Sequence, residues 1–316
     1  MSPHPEVPDA PPAERQPVTL PRLAELKRAG ERIVMVTAYD YPSAQVAEEA
    51  GVDVVLVGDT AAMVVLGHDS TNPVEMDEML TMASAVRRGL RTPLLIGDMP
   101  FGSYEASNEI AIANAQRFIK EAGCDAVKLE RGGASVDRAR AIIRSGIPVM
   151  GHVGLTPQTA TALGATMPQG GYRAQGRTAE RAAKIAEEAL ALQAAGCFAI
   201  VFEAIPAAVT EALMDKLEIP VIGIGAGPST DGQVLVFHDL LGIHKGHVPR
   251  FVKRYAEIQD AMVAAVRSYA DEVRSHRFPD AEHIYSVDPG ELEEFQRYLD
   301  QESLASQASW DWEPLP

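Results

Sequence analysis

The sequence predicts an α/β fold, a closed (βα)8 or TIM barrel of parallel strands. Short hydrophobic runs alternate with amphipathic helical stretches, and the runs are apolar almost throughout, as in strands that are covered on both faces. Eight such runs are present, which is the number that closes into a barrel with a packed interior. We expect strands near residues 33–38, 53–58, 94–98, 125–130, 147–151, 198–203, 219–225 and 233–237.

An open, doubly wound parallel sheet is the structural alternative. Its dinucleotide-binding form has a glycine-rich loop after the first strand and an acidic residue further on. Here the segment Gly223-Ile224-Gly225-Ala226-Gly227 follows a late strand and has neither the spacing nor the acid. The loop therefore predicts a tight turn, with a backbone nest for an anion as the other interpretation.

Helix ends are marked by glycine. A first helix is expected from Leu20 to Ala29, and several later helices end in a glycine that is followed at once by a strand. Glycine readily takes the left-handed conformation that closes many helices. The predicted cap glycines are Gly51, Gly123, Gly146 and Gly196.

The two ends of the chain differ from its middle. Residues 1–17 contain six prolines and no apolar segment, so we expect a disordered arm and no signal peptide. Residues 18–285 carry the barrel pattern. Residues 286–316 form an acidic extension, in which we expect a helix from Pro289 to Gln301 that is solvated or contacts another subunit.

Charge and hydropathy exclude several partners. The 316-residue chain has a formal net charge of -16, which argues against binding to nucleic acid or to an anionic membrane. Its apolar runs are too short to span a bilayer, so we expect a cytoplasmic protein. The two cysteines, Cys124 and Cys197, are too few for a disulfide framework or a zinc site and are interpreted as buried apolar residues.

Four hydrophobic runs end on, or just before, an acidic residue: Asp59, Asp98, Glu130 and Glu203. The carboxyl ends of barrel strands lie on one rim, so these carboxylates are expected to meet. A single aspartate in such a loop is also typical of a helix N-cap. Several acids at matching strand ends instead favour a site for a hard cation, and two carboxylates completed by water and substrate suit Mg²⁺.

Lys128 and Glu130 are two residues apart on one predicted strand, so they face the same side, which in a barrel is the interior. Buried charges must pair or face a polar cavity. A structural salt bridge is the simple interpretation. The functional one is favoured because Val127 and Leu129, at the alternate positions, would lie under the helices.

Glu203 and His152 are candidates for proton transfer. Glu203 ends a run of Phe and Ile residues, where reduced hydration would raise its proton affinity and suit it to act as a base. His152, expected just after the fifth strand, could orient a substrate or share a proton. A histidine with only a structural hydrogen bond is the alternative.

Several ordered motifs between about Thr19 and His283 resemble the ketopantoate hydroxymethyltransferase family. They include Thr37-Ala38-Tyr39-Asp40-Tyr41, Leu56-Val57-Gly58-Asp59, Gly67-His68-Asp69-Ser70-Thr71, Asp98-Met99-Pro100-Phe101, Val127-Lys128-Leu129-Glu130, Gly151-His152-Val153-Gly154-Leu155-Thr156-Pro157-Gln158 and Ile222-Gly223-Ile224-Gly225-Ala226-Gly227. The resemblance implies a barrel of the phosphoenolpyruvate/pyruvate type, usually a homodecamer. It also implies transfer of a hydroxymethyl group from 5,10-methylenetetrahydrofolate to 3-methyl-2-oxobutanoate through an enolate that Mg²⁺ stabilises.

The resemblance implies a role for each site residue. Asp59 and Asp98 match the Mg²⁺ ligands, with Asp98 also beside the substrate, and Glu130 matches an acid that reaches the metal directly or through water. Glu203 matches the proposed base. The substrate-contacting positions are matched by Lys128, His152 and Thr60, where Thr60 replaces the usual serine.

Three features depart from the family pattern: Thr60, Arg131 in place of a usual glycine, and about six extra residues near 164–169. Each lies on a loop after a barrel strand, where substrate specificity is set. They leave open a paralogue that acts on a different α-keto acid. The sequence is also compatible with a Mg²⁺-enolate lyase or mutase of the same superfamily and with a catalytically silent barrel.

Overall fold

Eight parallel strands close into a barrel in the computed structural model, which describes residues 15–159, 174–244 and 248–300. Each strand pairs with the next along the chain, and β8 returns to pair with β1. The strands are β1 (Ile33–Thr37), β2 (Val54–Val57), β3 (Leu94–Asp98), β4 (Ala126–Lys128), β5 (Val149–Gly154), β6 (Ala199–Glu203), β7 (Val221–Ile224) and β8 (Gly232–Leu235). The predicted barrel is confirmed, and the pairing of β1 with β8 excludes an open sheet.

Helices follow most strands. They are α1 (Leu20–Ala29), α2 (Tyr41–Glu49), α3 (Ala61–Val64), α4 (Met76–Gly89), α5 (Asn108–Lys120), α6 (Ala134–Arg144), α7 (Ala179–Ala195), α8 (Ala207–Met214), α9 (Phe237–Leu241), α10 (Ile258–Arg274) and α11 (Pro289–Leu299). The first helix has the predicted bounds. All four predicted cap glycines have positive φ, between 71° and 101°, as left-handed helix ends require.

Several strand bounds differ from the prediction, among them that of β4, which ends at Lys128 and leaves Glu130 beyond the strand. The predicted end of β5 is residue 151, but the strand continues to Gly154, because its backbone stays in register with β6 up to the pair Gly154 and Glu203. His152 therefore lies inside the strand and not in the loop after it. β8 ends at Leu235, and Phe237, expected in that strand, begins α9.

The core has two parts. An outer part lies between the strands and the helices and includes Val127 and Leu129, as the alternation predicted. An inner part fills the barrel with residues of alternate parity, among them Ile96 and Met150. Leu23 of α1 is also packed into this inner cluster. Side chains inside a barrel stack in layers. On each strand, the inward-facing residue that follows this apolar layer toward the carboxyl end therefore lies at the rim of the barrel.

The chain divides into two compact units between Gln259 and Asp260. In the second unit, neither α10 nor α11 has a buried residue. The α11 helix begins at Pro289 as predicted, and Asp288 caps it by accepting from the N–H groups of Gly290 and Glu291. It ends at Leu299.

Some predictions fall outside the described residues. These are the first 14 residues of the expected arm, the extra residues 164–169, and the acidic segment 301–316. Both cysteines are described, and both are buried and free, as predicted. Within the described ranges, no helix combines the length and the apolar character needed to cross a bilayer.

Candidate active site

The carboxyl ends of β2 to β6 bring the predicted site residues to one rim. Asp98, Lys128 and Glu203 are the last residues of β3, β4 and β6, and His152 lies within β5. Each extends an inward-facing row of apolar side chains by one position, so strand periodicity places them together. Asp59 and Thr60 follow β2, and Glu130 follows β4.

Asp98 joins two neighbouring strand ends. Its Oδ1 atom lies 2.7 Å from Lys128 Nζ, and its Oδ2 atom accepts a hydrogen bond from the backbone N–H of Asp59 at 3.1 Å. Lys128 Nζ is also 3.7 Å from Glu130 Oε1. Lys128 thus pairs with Glu130, as the simple structural interpretation supposed, and also with Asp98, so the lysine is shared between two buried carboxylates.

Burial and mutual repulsion act on these acids. Burial raises the pKa of Asp59 well above its usual range, and the charges of Asp98 and Glu130 raise it further. Burial also raises the pKa of Asp98, although Lys128 opposes this. Burial acts in the same direction on Glu130, but Lys128 and His152 outweigh it and lower the pKa of that carboxyl. Asp59 is thus the carboxylate with the least compensated charge.

Lys128 remains a cation. Burial lowers its pKa, but the carboxylates of Asp98, Glu130 and Asp59 outweigh burial and raise the pKa above its usual value. The lysine can therefore balance one negative charge or contact the carboxylate of a substrate.

His152 stands between two acids. Its Nδ1 atom lies 3.2 Å from Glu130 Oε1, and its Nε2 atom lies 3.3 Å from Glu203 Oε2. Burial and the charge of Lys128 lower the pKa of His152, but Glu130 and Glu203 outweigh them and raise it to about 9. A protonated His152 would place positive charge beside the candidate base.

Glu203 and Thr60 are the more open members of the site. The Glu203 side chain retains 15% exposure, and its neighbour His152 is polar, whereas the sequence suggested an apolar setting. Thr60 precedes α3 and is half-buried, and its side chain makes no capping hydrogen bond. Both side chains are therefore available to a small molecule at the rim.

Sequence reasoning gave no role to Gln158 or Tyr104, which complete the buried cluster. The Gln158 amide donates to Asp59 Oδ2 at 3.0 Å and accepts from the Tyr104 hydroxyl at 2.5 Å. In the sequence, Gln158 was noted only as the last residue of the family motif that begins at Gly151. Tyr104 lies in the loop after β3. This loop has no hydrophobic periodicity and no motif that would have indicated a functional tyrosine.

The acidic residues fit a divalent cation. Four carboxyl groups, those of Asp59, Asp98, Glu130 and Glu203, lie with only two basic side chains, Lys128 and His152. Glu130 Oε1 is buried and accepts no hydrogen bond, and its neighbours are the ion-pair partners His152 Nδ1 at 3.2 Å and Lys128 Nζ at 3.7 Å, so this oxygen could accept a further ligand. The described residues contain no ready group of three or more His, Cys, Asp or Glu metal ligands. A divalent cation could therefore be held here only through one or two carboxylates, with water or substrate oxygens as its other ligands, which is the kind of site that Mg²⁺ prefers.

Comparison with known proteins identifies the family. Residues 17–281 match the family model described as ketopantoate hydroxymethyltransferase. Two curated relatives named 3-methyl-2-oxobutanoate hydroxymethyltransferase are similar to most of the chain. The one from Moorella thermoacetica is 54% identical over 273 residues, covering 86% of this chain and 99% of the relative. The one from Carboxydothermus hydrogenoformans is 50% identical over 276 residues, covering 87% and 98%.

A solved structure shares the fold at low sequence identity. The structure of 2,3-dimethylmalate lyase, a member of the PEP mutase/isocitrate lyase superfamily, aligns with a TM-score of 0.52 and 17% identity. The alignment covers 90% of this chain and 98% of that one. This likeness concerns the barrel alone, whereas the family model and the relatives cover the rim residues as well. The chain belongs to the ketopantoate hydroxymethyltransferase family.

Proposed function

We propose that this protein transfers a hydroxymethyl group from 5,10-methylenetetrahydrofolate to 3-methyl-2-oxobutanoate, giving 2-dehydropantoate. The observation that carries the proposal is the buried acidic cluster at the barrel rim, in a chain of this family. Asp59 and Asp98 meet there beside Glu130 and Lys128, and Glu203 lies at hydrogen-bonding distance from His152.

Asp59 and Asp98 would hold Mg²⁺, and Glu130 would reach it directly or through water. When bound, Mg²⁺ acts as a Lewis acid that raises the acidity of the carbon next to the keto group. The protein fixes the cluster before substrate arrives, because Lys128 and the N–H of Asp59 hold both oxygens of Asp98. Such preorganised charge is the usual source of large rate effects.

Glu203 would accept the proton from C3 of the keto acid, leaving the electron pair on that carbon to form the new bond to the one-carbon unit. The bonds from that unit to the folate nitrogens break, tetrahydrofolate leaves, and water supplies the hydroxyl oxygen. His152 lies 3.3 Å from Glu203 Oε2 and 3.2 Å from Glu130 Oε1, so it orients the base carboxylate relative to the metal cluster.

Lys128 and Thr60 would bind the carboxylate of the keto acid. Lys128 supplies a fixed positive charge, and Thr60 supplies a hydroxyl with no capping hydrogen bond at the start of α3. The protein would act as a homo-oligomer, a decamer by family likeness. Exposed apolar side chains on α10 and α11, such as Val266 and Phe295, support burial against another subunit.

A second candidate is transfer to a different α-keto acid. Arg131 favours it, because this residue lies directly after Glu130 and holds an unusual φ of 74°, at the position where glycine would be unstrained. The Arg131 side chain is exposed and its charge acts on Glu188 of α7, so it could select a substrate whose additional polar group extends past the rim. A lyase or mutase activity has only the barrel likeness in its support.

The test is an assay of the purified full-length protein against a panel of α-keto acids with 5,10-methylenetetrahydrofolate, with and without Mg²⁺. The proposal expects the highest kcat/KM with 3-methyl-2-oxobutanoate and loss of turnover in EDTA. Preference for another keto acid would favour the second candidate. No hydroxymethyl transfer with any keto acid would overturn both, and cleavage of a keto acid without folate would identify a lyase.

A further inference from the structure

Gln158 is buried at the centre of the acidic cluster and has every polar atom of its amide engaged. It lies in a short 3-10 helix, Pro157–Thr159, directly after β5, and is 3% exposed. The amide nitrogen donates to Asp59 Oδ2 and to the carbonyl oxygen of Met99, both at 3.0 Å. The amide oxygen accepts from the Tyr104 hydroxyl at 2.5 Å.

The backbone around this amide contacts the third acid of the cluster. The N–H of Gln158 donates to Glu130 Oε2 at 3.1 Å, and the Tyr104 hydroxyl accepts from the N–H of Glu130 at 3.3 Å. Gln158 thus contacts Asp59, Glu130 and the residue next to Asp98. Through its side chain and its backbone N–H, this one residue joins the loops after β2, β3, β4 and β5.

The donors and the acceptor of the Gln158 amide match the groups that surround it. Its nitrogen carries two N–H groups, and both are directed at oxygen acceptors, while its oxygen faces a hydroxyl donor. Because Asp59 Oδ2 accepts this bond, the rotation of the carboxylate is fixed and Oδ1 is left for another ligand. Groups that orient metal-binding side chains in this way commonly change metal affinity when they are removed.

We infer that Gln158, held by Tyr104, is a positioning residue that orients the Asp59 carboxylate for a divalent cation. The inference rests on the proposed function, which supplies the cation. It adds to the site two residues, Gln158 and Tyr104, that would affect the cation by positioning its ligand Asp59. A purely structural role would lower stability and leave the cation affinity of the folded protein unchanged. The affinity of the folded protein for the cation therefore distinguishes the two roles.

The experiment is isothermal titration of Mg²⁺ alone into EDTA-treated and dialysed full-length protein. Gln158→Met keeps the length of the side chain and removes both donors and the acceptor. We expect its dissociation constant for Mg²⁺ to rise about 10- to 100-fold, and that of Tyr104→Phe to rise about 3- to 10-fold. Raising Mg²⁺ in the activity assay should then recover part of the lost kcat.

Gln193→Met is the matched control, since this glutamine accepts from the N–H groups of Glu218 and Ile219 outside the site. The dissociation constant of Gln193→Met for Mg²⁺ should equal the wild-type value, even if the substitution changes the thermal stability. An unchanged constant in folded Gln158→Met overturns the inference while the proposed function stands. If Gln158→Met does not fold, an unchanged constant in Tyr104→Phe overturns it. A wild-type protein that binds no Mg²⁺ overturns the proposed metal role and this inference together.

Discussion

Lys128 Nζ lies 2.7 Å from Asp98 Oδ1, and the two side chains are only 5% and 1% exposed. A buried ion pair adds little net stability compared with apolar residues, but removal of one partner leaves an unpaired buried charge. The lysine is thus needed to keep the acids of the site ionised and close together in the metal-free protein.

Lys128→Met should destabilise the metal-free protein by about 3 to 5 kcal/mol near neutral pH. The loss should become smaller as the pH falls, because burial raises the pKa of Asp98 and this carboxyl can take up a proton. Mg²⁺ should also restore part of the loss. Urea unfolding in EDTA and in Mg²⁺ measures both effects. Lys27→Met is the control, because Lys27 pairs with Asp231 at 2.7 Å in a more exposed setting. Equal losses of unfolding free energy in the two variants would contradict the expectation that an unpaired charge in the buried cluster costs more than one in a more exposed pair.

Glu203→Gln should slow the exchange of the C3 hydrogen of 3-methyl-2-oxobutanoate with D2O at least about 100-fold, because the amide cannot accept the proton. Proton NMR of the substrate with enzyme and Mg²⁺, without folate, isolates this step. Glu211→Gln, an exposed change on α8, is the control. Wild-type exchange in Glu203→Gln would assign the base to another residue.

His152 should make the stability of the metal-free protein depend on pH. Its pKa is raised from 6.5 to about 9, so the protonated form stabilises the fold fully below about pH 6.5, and the contribution disappears as pH rises through 9. The difference in unfolding free energy between wild type and His152→Asn should fall by roughly 3 kcal/mol between about pH 6 and pH 10. Urea unfolding in EDTA measures it. A difference that is constant or grows with pH contradicts the expected sign.

Arg131→Gly should raise the unfolding free energy by about 1 kcal/mol, because the φ of 74° suits glycine and strains arginine. If the arginine selects the substrate, the same change should lower kcat/KM for the preferred keto acid relative to others in the panel. Chemical unfolding and the panel assay give the two results. A clear loss of stability would mean that contacts of the arginine side chain outweigh the backbone strain.

Strand periodicity made much of the site predictable. Lys128 and Glu130 were expected to face inward, and Val127 and Leu129 outward, because side chains alternate along a strand, and the structure has this arrangement. The meeting of Asp59 and Asp98 followed equally from the geometry of a barrel, in which carboxyl ends of strands share a rim.

Loop contacts were not predictable in the same way. Gln158 reaches Asp59 across 99 positions of the chain and Tyr104 across 54, through turns that have no repeat. The location of His152 was missed because the end of β5 is fixed by pairing with β6, which local composition does not reveal. Tertiary contacts, and not propensities, decide such positions.

The most direct test of a metal held by Asp59 and Asp98 is Mg²⁺ titration of Asp59→Asn beside wild type and Asp77→Asn, an exposed aspartate outside the cluster. We predict a measurable isotherm for wild type and Asp77→Asn, and loss of both Mg²⁺ binding and folate-dependent turnover in a folded Asp59→Asn. Wild-type binding and turnover in Asp59→Asn would contradict a metal site at these two aspartates.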